Sequence, residues 1–220
     1  MCFSPQGDLA AGVVVTAIGV DACLHIHERK DKALIAVLPV LLGLHQIDES
    51  LVWFGLRNEV PPGVGRAAMW IYLAVALVVL PAFVPTAVLA LEPDSRRRRL
   101  IVPFVVLGIA VAIVLLVTML VNPVTVSQQH LHLAYSIGLP NGVLVVGLYV
   151  LATCGSVLLS SYKHVVLFGV VNLVAVAVLA RLTADGFTSL WCAYAAVTGA
   201  AIALHVRYAT WHHDALRLQT

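Results

Sequence analysis

The sequence predicts an all-α integral membrane protein: one bundle of about seven transmembrane helices, with its N-terminus outside and its C-terminus in the cytoplasm. Three observations predict it. Of 220 residues, 61% are hydrophobic and only 11% charged, against roughly 45–50% and about 25% in soluble domains. Apolar stretches long enough to cross about 30 Å of hydrocarbon, each needing roughly 20 residues, recur along the whole chain. The cationic residues gather on alternate connections, as the orientation rule for membrane helices demands.

The apolar stretches run, in order, over residues 9–26, 33–54, 67–91, 100–121, 141–160, 165–182 and 187–206. The first is expected to be a retained helix, because Met1-Cys2-Phe3-Ser4 lacks the basic start of a secretory signal and no small-residue cleavage site follows. Pro61-Pro62-Gly63 separates the second and third stretches, Glu92-Pro93-Asp94-Ser95 the third and fourth, and Asn122-Pro123 ends the fourth. No connection is long enough to divide the chain, and no internal repeat is visible, so residues 1–220 form a single domain.

Orientation follows from charge. One side collects Arg29, Lys30, Lys32, Arg96, Arg97, Arg98, Arg99, Lys163, Arg207 and Arg217; the other has Arg57, Arg66 and Arg181. Ten against three places the first, third and fifth connections and the C-terminus in the cytoplasm. An odd number of spans satisfies both ends, which favours seven over six. A formal net charge of +2 implies neither nucleic acid nor an acidic partner. Membrane lipids are the expected surroundings, and a small-molecule or lipid-like compound the expected ligand.

Ionisable side chains at membrane depth cost roughly 2.5–3.5 kcal/mol each, so their positions are informative. The densest group lies in the second stretch, His45-Gln46-Ile47-Asp48-Glu49-Ser50-Leu51-Val52-Trp53. At 3.6 residues per turn, His45 and Glu49 stand about 40° apart on one helix face. Gln46 and Trp53 extend the same stripe. A histidine nitrogen and a carboxylate one turn apart suit a shared divalent ion or an acid–base pair. The same pattern also serves as a hydrogen-bonded packing cluster, with Asp48 near the interface.

The connection between the fourth and fifth stretches carries His130-Leu131-His132 on the outer side. In an extended segment the two imidazoles share a face, whereas on a helix they diverge by about 160°. Topology puts Glu49, His130, His132, Cys192 and Cys2 together in the outer half. Carboxylate, imidazole and thiolate are an acceptable shell for zinc or copper. Alternatively, Cys2 and Cys192 form a disulfide on that oxidising side.

Met1-Cys2-Phe3-Ser4, Gln46-x-x-Glu49-x-x-x-Trp53 and Trp191-Cys192-x-Tyr194-Ala195-Ala196 give the chain a further signature. On these residues it resembles an uncharacterised family of bacterial polytopic membrane proteins that begin Met-Cys-Phe-Ser and carry a domain of unknown function. The resemblance spans most of the chain. It implies a polytopic fold in the bacterial inner membrane and supplies no activity. Retinal proteins are a poor match, since 187–206 contains no lysine for a Schiff base. Ceramidase-like zinc hydrolases need a His-x-x-x-His pair late in the chain, where this stretch offers only His205.

The leading functional expectation is a metal site open to the outer face, built from His45, Glu49, His130, His132 and Cys2 or Cys192. Gln46, Asp48, Trp53 and Trp191 would support it. As an enzyme it would activate water against a lipid-like substrate, with Glu49 as ligand or general base. The alternatives are a transporter for a small solute, proton or metal ion, using Asp21, Asn172 and Thr153 as a polar path, and a non-catalytic sensor or assembly subunit.

Overall fold

The computed structural model describes residues 4–24, 33–129 and 132–182, together with 198, 200, 201 and 204. Six helices lie among the described residues: α1 (Pro5–Leu24), α2 (Ala33–Leu56), α3 (62–91), α4 (Ser95–Val121), α5 (Gly142–Leu158) and α6 (Lys163–Leu182). They coincide with the first six predicted stretches. The seventh, 187–206, lies mostly outside the described residues, although 198, 200, 201 and 204 are helical and Ala200 packs with Val15, Leu42 and Leu80.

Local chemistry explains the boundaries. At the start of α1, Ser4 accepts a hydrogen bond from the Gly7 backbone N–H at 3.1 Å, and Pro5 supplies a preset φ where no donor is needed. Pro61-Pro62, a break in the sequence reading, starts α3 for the same reason. Asp94 caps α4 by accepting from the Arg96 N–H at 2.9 Å. Within α3, residues Ala74–Val79 widen into a π segment. Pro81 follows directly; it cannot donate to the Leu77 carbonyl, and its ring would press on that oxygen in a regular α-turn.

Packing is sequential and close. The buried residues of α1 are Pro5, Asp8, Gly12, Val15, Gly19 and Ala22, a single stripe at alternating spacings of three and four. That stripe lies against α2 at van der Waals distance. A Cβ added to Gly12 would fall 2.8 Å from the Gly43 carbonyl oxygen. Small residues of this kind let apolar helices approach backbone to backbone where no water is expelled to drive them together. Helix α3 is central, in contact with α2, α4 and α5.

The outward surface is apolar. Val106, Ile113 and Leu120 on α4 and Val143 and Leu144 on α5 are all exposed. Helices Pro5–Leu24, Pro62–Leu91 and Ser95–Val121 are long and apolar enough to cross a membrane.

One element departs from the all-α expectation. In the connection read in the sequence as a polar loop, β1 (Thr125–Gln129) and β2 (His132–Ser136) pair as an antiparallel hairpin. Val126 pairs with Tyr135 and Gln128 with Leu133, so these four residues share one face of the ribbon. Val126, Leu133 and Tyr135 pack into the principal core with Val52, Trp53, Met69, Tyr72 and Met119. Three inward residues among polar neighbours are too few to stand out in the sequence. The hairpin is tied at its base, where the Asn122 side-chain amide donates to the Gly138 carbonyl at 3.1 Å.

Candidate functional site

The polar stripe of α2 is turned inward. His45 is 2% exposed, Gln46 and Trp53 1%, and Glu49 and Ser50 0%. This is the burial that insertion energetics allows only when the groups are put to use or well matched. Asp48, one residue off the stripe, is only partly buried.

Two aromatic residues build the wall opposite. Tyr72 of α3 stacks on His45 with ring centroids 4.1 Å apart and planes 13° from parallel. Tyr135 of β2 stacks on Tyr72 at 4.7 Å and 14°. Tyr72 is therefore sandwiched between the helix histidine and the hairpin tyrosine. It lies ten residues into α3, or about 15 Å along the axis. Tyr135 of the hairpin thus meets α3 about three turns from its start.

Trp53 closes the stripe on the hairpin side, with the Arg57 guanidinium carbon 5.4 Å from its ring centroid. That distance is within cation–π range.

Hydrogen bonding in the cluster is uneven. Ser50 is satisfied, its hydroxyl donating to the Ile47 carbonyl at 2.6 Å. The Gln46 amide oxygen and nitrogen and the Trp53 indole nitrogen are buried with no hydrogen-bond partner among the described residues. A buried polar group left in that condition costs about 1–3 kcal/mol.

Asp8 belongs to the same end of the bundle and is fully buried. It lies one turn beyond Gly12, and the neighbours of Gly12 across the helix pair are Gly43 and Ile47. It therefore stands near the level of Ser50. The sequence reading passed over it as part of a terminal segment; its signal was a single carboxylate at the mouth of an apolar helix. Tyr72 and Tyr135 were also missed. Nothing in a linear sequence marks a tyrosine as the partner of a histidine 27 residues earlier.

The residues predicted to complete a metal shell are only partly placed. His130, Cys2, Cys192 and Trp191 lie outside the described residues. His132 is in β2, but strand alternation puts it on the face opposite Leu133 and Tyr135. Its Nε2 is buried without a hydrogen-bond partner among the described residues. Among those residues no three His, Cys, Asp or Glu side chains are grouped to hold a metal. His45, Glu49 and His132 alone therefore make no shell.

Of the predicted transport path, the Thr153 hydroxyl donates to the Tyr149 carbonyl at 2.9 Å. The Asn172 amide donates to the Phe168 carbonyl at 3.0 Å. Both bonds are to the residue's own helix.

The opposite end of the bundle holds a third buried carboxylate. Glu92, 1% exposed, accepts from the Ser161 backbone N–H at 2.7 Å, from the Ser161 hydroxyl and from the Asp94 N–H at 3.2 Å. Arg97 donates to the carbonyls of Leu159 and Ser160 at 3.2 and 3.0 Å. Together they lock the α3–α4 connection onto the α5–α6 connection.

Fold and site define a mostly helical protein with apolar helices compatible with a membrane setting and a polar cluster buried beneath a β-hairpin. The chain belongs to a family of unknown function (DUF6629), which matches residues 1–215. No curated protein and no solved structure gave a significant match.

Proposed function

We propose that this chain is a multi-pass protein of the bacterial cell membrane whose outer-half polar cluster binds a small hydrogen-bonding ligand. Its seven spans leave the N-terminus outside and the C-terminus in the cytoplasm. The ten-to-three distribution of Lys and Arg supports that orientation, and the exposed apolar faces of α4 and α5 support the setting. The hairpin end is then the outer end. The backbone groups of its two strands pair with each other, which spares them the cost of unpaired polar groups near lipid.

One observation carries the binding reading. Gln46 is 1% exposed, and its amide has no hydrogen-bond partner among the described residues. It shares a helix stripe with His45 and Glu49. An amide with its two donors and its acceptor unused among the described residues, on one stripe with a carboxylate and an imidazole, suits a ligand that offers both acceptors and donors. Met69, Met119, Leu133 and Tyr72 belong to the buried core that also holds Trp53, and a low local dielectric there strengthens each such bond.

A zinc or copper ion with bound water is one occupant of this chemistry. His45 and Glu49 would then need a further ligand from Cys2, His130 or Cys192. In that version a bound water would act on a lipid-like substrate, and Glu49 would be general base only where it is not itself a ligand.

The test is occupancy. Elemental analysis and native mass spectrometry of detergent-purified protein are run on wild type, Glu49→Ala and His130→Ala. The expected result is a small adduct on wild type that is lost in Glu49→Ala. Stoichiometric metal lost in both variants would assign the metal version. Bare protein in all three, well folded and after reconstitution with zinc and copper, would overturn the binding site.

A further inference from the structure

The four arginines at the start of α4 do not share one role. At 3.6 residues per turn their side chains leave the helix in different directions. Arg97 turns inward to the carbonyls of Leu159 and Ser160, with its Nε 4.0 Å from Asp94. Arg98 turns back toward the Glu92 carbonyl at 3.5 Å. Arg96 and Arg99 do neither. Both are exposed, and no ion pair is formed by either among the described residues.

The acids beside them in the chain are already engaged among the described residues, Glu92 by Ser161 and Asp94 and Asp94 by the Arg96 backbone and Arg97. Arg96 and Arg99 stand at the head of a stripe that continues through Val106, Ile113, Val117 and Leu120 at helical spacings. All four of these apolar residues are exposed, Val106 at 62% and Leu120 at 68%.

We infer that Arg96 and Arg99 form a binding site for the headgroup of an anionic phospholipid of the cytoplasmic leaflet, whose acyl chains lie along the exposed stripe of α4. Two exposed guanidinium groups with no ion pair among the described residues, at the head of an exposed apolar stripe, match such a lipid in both charge and shape. Guanidinium also pairs with phosphate in a two-pronged geometry that an ammonium cannot reproduce. This site rests on the membrane reading of α4 and is independent of the polar cluster at the other end.

The experiment has two stages. Alkaline carbonate extraction of membranes first reads the span itself; release of the protein into the soluble fraction overturns both the span and the lipid site. Native mass spectrometry of the detergent-purified full chain then compares phosphatidylglycerol with phosphatidylcholine of matched acyl chains.

Wild type is expected to retain phosphatidylglycerol with a preference of roughly fivefold or more, the scale of one basic residue near an anionic surface. The doubly substituted Arg96→Gln/Arg99→Gln protein is expected to lose that preference. Arg66→Gln, an exposed arginine at the other end, is expected to keep it. Equal retention of the two lipids by wild type, or an unchanged preference in the double variant, would overturn the inference. Inorganic phosphate alone binding as strongly as the lipid would overturn the assignment to a headgroup.

Discussion

Glu92 and Gln46 are equally buried, each 1% exposed, yet their surroundings are opposite. Both Glu92 oxygens accept hydrogen bonds from the neighbouring connection, whereas the Gln46 amide has no partner among the described residues. A carboxylate with its acceptors filled by a serine and two backbone donors is a fastening. An amide with no partner among the described residues, on the same helix stripe as Glu49 and His45, is the group that the proposed ligand would engage. Burial alone therefore does not distinguish these two polar residues. The hydrogen bonds each makes among the described residues do.

The largest expected effect lies at the fastening. Glu92→Ala removes a charged acceptor from three donors, and hydrogen bonds to charged groups contribute about 1.5–3 kcal/mol each. A loss of about 3 kcal/mol is expected, read from unfolding midpoints in detergent, with ligand occupancy unchanged in the folded fraction. Tyr135→Ala should come next. It empties one face of the Tyr72 sandwich and loosens the hairpin, at about 2–3 kcal/mol, within the range for truncating a buried aromatic. Hydrogen exchange of residues 125–136 should accelerate while that of α5 does not.

Gln46→Leu should separate stability from binding. Removing an unsatisfied amide is expected to leave stability unchanged or raise it by about 1 kcal/mol, while ligand affinity falls by about tenfold or more, the equivalent of 1.4 kcal/mol. Arg57→Gln is the smallest. It removes the guanidinium over Trp53, an exposed cation–π contact of about 0.5–1 kcal/mol, and should leave the cluster intact.

Much of the helical frame was legible, because an apolar stretch bounded by Pro, Gly or charge reports directly on a buried or lipid-facing helix. The discrepancies all lie at ends, where a window of hydrophobicity and a helix are different things. Residues 95–99 carry four arginines and fall outside the apolar stretch, but Asp94 caps them into α4. Pro62 reads as a breaker and acts as a starter.

The His45–Gln46–Glu49–Trp53 stripe was legible from spacing, and its burial followed from the cost of exposing such groups to lipid. What spacing could not report was the company it keeps. Tyr72 sits in an apolar helix, and Tyr135 sits in a hairpin whose inward residues are few. His132 was expected near the cluster on topology alone; strand alternation turns it to the face away from Tyr135.

The most direct test of the central claim is to measure Gln46→Leu and wild type side by side, for bound mass by native mass spectrometry and for thermal stability in the same detergent. Wild type is expected to carry a small adduct that Gln46→Leu lacks, with the substituted protein at least as stable once wild type has been stripped of it. Identical bare masses, with Gln46→Leu clearly less stable than wild type, would contradict it and make Gln46 a packing residue like Glu92.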